Sequence, residues 1–240
     1  MPEEVNRVLC DRLSDLLLCH SADAMHSLSS EGIDPARAVV VGNTMIDTLF
    51  LLADPKWAGG VRRRFGVENN AYVLVTLHRP AVVDNPQRLL ATMEALAQLA
   101  HRARVLFPVH PRTRARLAAA GWLDSQRLRL LDALEYSDFI ALEAGARLVV
   151  TDSGGVQEET SALGVRCLTY RTSTERPVTV ELGTNTVIGI DPGRLLEVAV
   201  EELDRPPVPA TSQIPLWDGQ AGRRAGEAIA GFLAAVKPPA

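Results

Sequence analysis

Residues 148–164 read LVVTDSGGVQEETSALG: an apolar strand signal ends at Thr151-Asp152, turns through Ser153-Gly154-Gly155 and enters a helix pattern near Val156. Glycine lets a backbone approach a ligand closely, and free N–H groups at a helix start favour an anion such as a phosphate. The Ser153 hydroxyl adds a donor. Glu159, early on the helix, stands where a carboxylate reaches a ribose hydroxyl. A tight turn with a helix cap and a solvated Glu would leave the same letters, so this segment alone keeps both readings open.

A second cluster lies in YVLVTLHRPAVVDNPQRL, residues 72–89. His78 and Arg79 sit just past a buried strand, where a His serves as acid, base or donor and an Arg holds a diphosphate. Surface or internally satisfied polar residues would occupy such positions equally well. His110 closes the strand signal VLFPVHP in a similar place, although Pro108 and Pro111 give that turn its own demands. Arg176 follows Thr174 and Glu175 in a loop after the strand 166–170, where side chains touch ligands or merely meet solvent. Glu3 and Glu4 open the chain, and acidic residues there complement the dipole of a helix start.

The elements that must position these groups follow from hydrophobic patterning. LLLC (16–19), AVVV (38–41), YVLVTL (72–77), VLFPV (105–109), LRLL (128–131), LVVT (148–151) and RCLTY (166–170) are strand signals. Helix-period segments lie between them at 23–31, 86–101, 111–120, 136–145 and 155–163. This alternation predicts an α/β protein with a parallel sheet covered on both faces, so His78, His110, Ser153 and Arg176 fall past strand ends, where ligands bind in such sheets. Asn85-Pro86 and His110-Pro111 mark helix starts, because a first-turn N–H has no intrahelical partner to lose.

Residues 1–41 supply only helix, strand, helix and strand, whereas 55–204 hold a complete Rossmann-like unit. The expected division is 1–50 as the remnant of an N-terminal Rossmann-like domain with its linker, 51–205 as the nucleotide-binding domain, and 206–240 as a Pro-rich connection with a final helix at 220–236.

Composition narrows the class. Hydrophobic residues at 47% against 22% charged allow a buried core and argue against disorder. A net charge of −4 argues against nucleic acid as a partner, and Arg112, Arg114 and Arg116 read as a solvated helix face. The 3 cysteines, Cys10, Cys19 and Cys167, lack metal-ligand spacing and read as buried reduced thiols. No apolar run reaches the ~20 residues of a membrane span, and MPEEVNR lacks signal-peptide character, so a cytoplasmic protein without a membrane partner is expected.

Taken together, PEEVNR (2–7), VGNTMIDTL (41–49), LVTLHRP followed by DNP (74–86), PVHPR (108–112), LEYSDFIAL (134–142), TDSGGVQEE (151–159) and TERPVTVELGTN (174–185) resemble the non-hydrolysing UDP-N-acetylglucosamine 2-epimerases in order and spacing. WDGQAGRRAGEAI is similar to that family's closing turn and helix. The resemblance implies Rossmann-like domains of the glycosyltransferase-B type and interconversion of UDP-GlcNAc and UDP-ManNAc with no cofactor and no metal. It implies loss of the C2 proton and departure of UDP to give a 2-acetamidoglucal, followed by protonation on the opposite face and re-addition. It also implies that Ser153, Gly154 and Gly155 bind the diphosphate, Glu159 the ribose and Arg176 the phosphate region. His78 would stabilise leaving UDP or transfer a proton, and Glu3 matches an acid-base residue. Arg79 and His110 match positions near the nucleotide or a regulatory UDP-GlcNAc site.

Family members begin with a strand and a basic loop and carry a GDT-type Asp and a VEAGLR-type Glu, none of which occurs here. HRPAVVDN stands for HRREN, and Val178 replaces a Glu. The resemblance therefore implies a member lacking its front part, with impaired turnover. Competing readings are a UDP-sugar-binding module completed by a separate N-terminal partner, and a UDP-sugar glycosyltransferase of the same architecture. A homodimer is a further expectation from the family.

Overall fold

The computed structural model describes residues 2–122, 127–206 and 213–235, with side chains from Glu4 onward. The chain divides into two compact units, Met1–Phe50 with Ile214–Ala240, and Leu51–Gln213.

The first unit runs α1 (Pro2–Leu13), β1 (Leu17–Cys19), α2 (Ala22–Ser30), β2 (Ala38–Val40) and α3 (Thr44–Leu52), whose last residues enter the second unit. Strands β1 and β2 pair in parallel, and Cys19, Leu28, Ile33 and Ala38 pack beneath them. On α1, Val5, Leu9 and Leu13 repeat at helical spacing on an exposed stripe, and Leu18 and Val39 are exposed on neighbouring strands.

The second unit runs α4 (Pro55–Phe65), β3 (Tyr72–Thr76), α5 (Pro80–Val83), α6 (Pro86–Leu99), β4 (Arg104–Pro108), α7 (Pro111–Ala119), β5 (Leu128–Leu131), α8 (Tyr136–Glu143), β6 (Leu148–Thr151), α9 (Gly154–Leu163), β7 (Cys167–Thr169), α10 (Pro177–Glu181), β8 (Asn185–Val187) and α11 (Pro192–Asp204). Its strands are all parallel, in the order β5-β4-β3-β6-β7-β8. Counted from β3, this is the doubly wound order 3-2-1-4-5-6, whose switch point falls between β3 and β6.

Alternation along the strands divides the core into two layers. Val73, Val75, Val105, Phe107 and Val150 pack under α6 and α11, while Tyr72, Leu74, Leu106 and Val149 face α4 and α8. Both sheet faces are therefore dry, which is why the strands read as unbroken apolar runs. Complete burial of one such Val or Leu stabilises the fold by about 1.5–3 kcal/mol.

The last helix, α12 (Ala221–Ala235), belongs to the first unit. The Asp47 carboxylate accepts from the backbone N–H groups of Ala221 at 3.0 Å and Gly222 at 2.6 Å, capping α12 from α3. The Trp217 indole donates to the His20 carbonyl at 2.9 Å. Gly42 has φ +92°, and a Cβ there would lie 2.2 Å from the Leu216 carbonyl oxygen, so VGNT and WDGQ require each other. The sequence division set 206–240 apart; these bonds instead join its helix to residues 1–50.

The patterning left out the helices α4 and α11, and three further local features differ from it. β8 carries too short and too polar a sequence, NTV, to register as a strand. Arg176 is the residue before the short helix α10 rather than part of a bare loop. Cys10 is exposed, whereas Cys19 and Cys167 are buried. Among the described residues no helix is long and apolar enough to cross a membrane.

Candidate functional site

The C-terminal ends of β3 and β6, neighbours at the switch point, bring His78 and Arg79 beside Asp152 and Ser153. Asp152 is wholly buried. Its carboxylate accepts from the backbone N–H of His78 at 3.0 Å and of Arg79 at 2.8 Å, and lies 2.9 Å from His78 Nδ1. The Arg79 Nε–H donates to the Asp152 carbonyl at 3.0 Å. One buried carboxylate thus locks the turn after β3 and orients the His78 ring, whose side chain is 56% exposed. That contact calls for a proton on Nδ1, which leaves Nε2 to exchange a proton with a ligand. The Asp152 hydrogen bond holds His78 above its ordinary value, against partial burial and the nearby Arg79.

Ser153 is the N-cap of α9, but its side chain makes no cap hydrogen bond. The cap reading of this Ser therefore lacks its defining contact, and the hydroxyl stays available beside the helix start. Space around Gly154 is open: a Cβ would meet nothing within 4 Å. Gly155 follows in the first turn of α9.

Farther along α9, Gln157, Glu158 and Glu159 are all buried. Glu159 is not a solvated Glu: the Tyr136 hydroxyl donates to it at 2.5 Å, a short charge-assisted bond. Burial raises the Glu159 carboxyl above its ordinary value, against the hydrogen bond from Tyr136.

Arg176 lies beside this helix, its Nε 2.8 Å from Glu158 Oε1, an ion contact without the angle of a hydrogen bond. A polar network fixes the loop that carries it. The Gln157 amide donates to the Ser153 carbonyl at 2.9 Å, and its oxygen accepts from Thr174 at 2.5 Å and Asn185 at 3.1 Å. Asn185 also donates to Thr179 and accepts from Thr169. Nearby, Arg171 pairs with Glu175 and its hydrogen bond lowers that carboxyl to about 2.

His78, Arg79, Ser153, Gly154, Gly155, Glu159 and Arg176 thus lie on or beside the carboxyl-end loops of β3, β6 and β7. His110 follows β4 and caps α7, its Nδ1 accepting from the Arg112 N–H at 3.2 Å, a structural task. Arg112 and Arg116 pair with Asp84, and Arg114 with Asp132, so this helix face is ion-paired rather than merely solvated. The Glu3 side chain lies outside the described residues. Sequence reasoning missed Asp152, Tyr136 and Gln157 as positioning groups. A carboxylate ending an unbroken apolar strand was the available signal for Asp152; Tyr136 and Gln157 carried none.

A doubly wound parallel sheet with these groups at its switch point makes this an α/β protein of the glycosyltransferase-B, Rossmann-like class. The family model described as UDP-N-acetylglucosamine 2-epimerase matches residues 1–230. The chain belongs to that family.

A UDP-N-acetylglucosamine 2-epimerase of Methanocaldococcus jannaschii is 36% identical over 233 residues, covering 93% of this chain and 63% of the relative. A UDP-2,3-diacetamido-2,3-dideoxy-D-glucuronate 2-epimerase of Pseudomonas aeruginosa is 35% identical over 98% of this chain and 64% of its own length. The crystal structure of the M. jannaschii enzyme in complex with UDP-GlcNAc and UDP superposes with a TM-score of 0.81 at 34% identity, over 96% of this chain and 65% of that one. The chain thus spans less than two thirds of the length of these relatives.

Proposed function

We propose that this chain binds UDP and carries the nucleotide-side machinery of a 2-epimerase acting on a UDP-2-acetamido sugar, UDP-GlcNAc first among them, with no cofactor or metal. The observation that carries the reading is the buried Asp152 that aims His78 at the same sheet edge as Ser153, whose hydroxyl makes no cap bond, and the open Gly154. Ser153, Gly154, Gly155 and Arg176 would hold the diphosphate, with Arg79 and His110 near the nucleotide. Glu159 would hold the ribose. In the proposed reaction the C2–H and C1–O bonds break, giving the 2-acetamidoglucal and UDP. Protonation on the opposite face and re-addition complete the inversion. Protonated His78 would offset charge on departing UDP, where electrostatic assistance matters most. Glu3 would join the acid-base work. A cytoplasmic location and a homodimer belong to the same reading.

Calorimetry with UDP, alongside proton exchange at C2 of UDP-GlcNAc in deuterated buffer, tests it. Weak UDP binding with absent or slow exchange is expected of this chain alone. Failure to bind UDP would remove the reading. Robust UDP-ManNAc formation would overturn the expectation of impaired turnover.

A second reading, a binding module completed by a separate N-terminal polypeptide, is favoured by the exposed stripe Val5, Leu9 and Leu13 with Leu18 and Val39. Chromatography with the front segment of the M. jannaschii relative tests this. A complex with restored C2 exchange supports it, and no complex rejects it.

A further inference from the structure

Glu143, the last residue of α8, is fully buried, and neither of its carboxylate oxygens accepts a hydrogen bond among the described residues. An ionised carboxylate so placed would be strongly disfavoured. The group that acts on it electrostatically is the carboxyl of Glu159 on α9. Two carboxylates cannot bond to each other, but a carboxylic acid donates to a carboxylate.

The geometry of α8 makes the pair more than an accident of packing. Tyr136 and Glu143 stand seven positions apart on the same helix, about two turns, and so share one face. Tyr136 already donates to Glu159 at 2.5 Å. Glu143 in turn acts on the Cys167 thiol of β7 and the Tyr72 phenol of β3, both buried and both pushed by burial toward their neutral forms. The Tyr72 hydroxyl donates to the Leu142 carbonyl, and Arg62 near it contacts the Ala141 carbonyl. Among the described residues no cation pairs with Glu143.

We propose that Glu143 is a positioning residue, a neutral acid that donates to Glu159 and, with Tyr136, holds that carboxylate in the orientation that accepts a ribose hydroxyl of the nucleotide. The inference rests on the reading of Glu159 as the ribose contact. Tyr136 and Glu143 act only through Glu159. Selectivity for a hydroxylated ribose would then depend on a side chain buried away from the ligand.

The test compares calorimetric binding of UDP and of 2′,3′-dideoxy-UDP to the full chain and to Glu143→Gln and Glu143→Leu. The parent should prefer UDP. Glu143→Gln keeps a neutral donor of the same shape and should keep the preference. Glu143→Leu should weaken UDP about tenfold and leave the dideoxy analogue nearly unchanged. A parental preference in Glu143→Leu, or an equal loss in Glu143→Gln, overturns the proposal. A parent that binds both nucleotides equally overturns the ribose reading of Glu159 and the inference with it. UDP binding with no such preference leaves the nucleotide reading of the chain intact. Should Glu143→Leu not fold, the infrared carbonyl band of a neutral carboxylic acid decides. It should be present at neutral pH in the parent and lost in Glu143→Gln, and its absence from the parent overturns the proposal.

Discussion

The Nδ1 atom of His78 stands 2.9 Å from a carboxylate oxygen of Asp152, and the two residues are separated by 74 positions in the chain. The histidine is half exposed and the aspartate wholly buried, so the contact ties a solvent-facing group to a rigid support. Two backbone N–H groups, of His78 and Arg79, end on the same carboxylate. Asp152→Asn keeps the shape but substitutes a donor for one acceptor oxygen. Its expected cost is about 2–4 kcal/mol, from buried donors left without good acceptors. Urea denaturation reads that loss, and an unchanged midpoint would contradict the assigned role.

His78 itself gives a pH dependence with a definite sign. Its pKa in the fold is raised above the ordinary value of 6.5 by the Asp152 hydrogen bond. The stabilisation is therefore complete below that ordinary value and is lost as pH rises through the raised one. Half-exposure keeps the effect small. NMR titration should show the raised pKa in the parent and a fall toward the ordinary value in Asp152→Asn.

Gln157 is the joint between two loops, through Ser153 on one side and Thr174 on the other. Gln157→Leu should cost about 2–4 kcal/mol, because it strands partners in a buried polar network. It should also weaken UDP more than uridine, since the groups it holds lie at the proposed phosphate end. Equal weakening of both ligands would point to general loosening.

Arg176→Ala should reduce UDP affinity about tenfold and leave uridine nearly unchanged, as expected for loss of one charged phosphate contact. Glu158 would lose the cation 2.8 Å away, so a lower melting temperature should accompany the change. Parental UDP affinity would place Arg176 in a purely structural role.

Stability should fall as pH rises above the ordinary carboxyl value of 4.5, because burial holds the Glu143 pKa well above it in the fold. The folded state then binds a proton that the unfolded chain has released, and the contribution disappears as pH passes through the raised value. Glu175 acts in the opposite sense: lowered to about 2 by Arg171, it stabilises above 4.5 and loses that effect as pH falls toward 2. Denaturation midpoints across pH should decline less on the alkaline side in Glu143→Gln. Matching curves for parent and variant would show that Glu143 does not carry the slope.

Much of the edge that holds the site was legible before any tertiary structure. An apolar run followed by Ser-Gly-Gly and a helix pattern places Ser153 at a strand end, because local periodicity and glycine chemistry need only near neighbours. His78 was placed in the same way by the run YVLVTL. The contact that turns that ring was not legible, since nothing near His78 announces a carboxylate from β6. β8 escaped because NTV is short and polar, and it became a strand by pairing with β7. The affiliation of α12 escaped because the group that caps it, Asp47, lies 174 positions away.

The sequence by itself determined the alternation of strands and helices, the edge on which the candidate residues stand and, through its ordered motifs, the family. Tertiary structure alone decided the strand order that sets β3 beside β6, the burial of Asp152, Glu143 and Glu159, and the return of α12 to the first fifty residues. The physical reason is range: periodicity, capping and turn chemistry act over a few residues. Burial and the protonation it imposes depend on groups that meet only when distant segments pack.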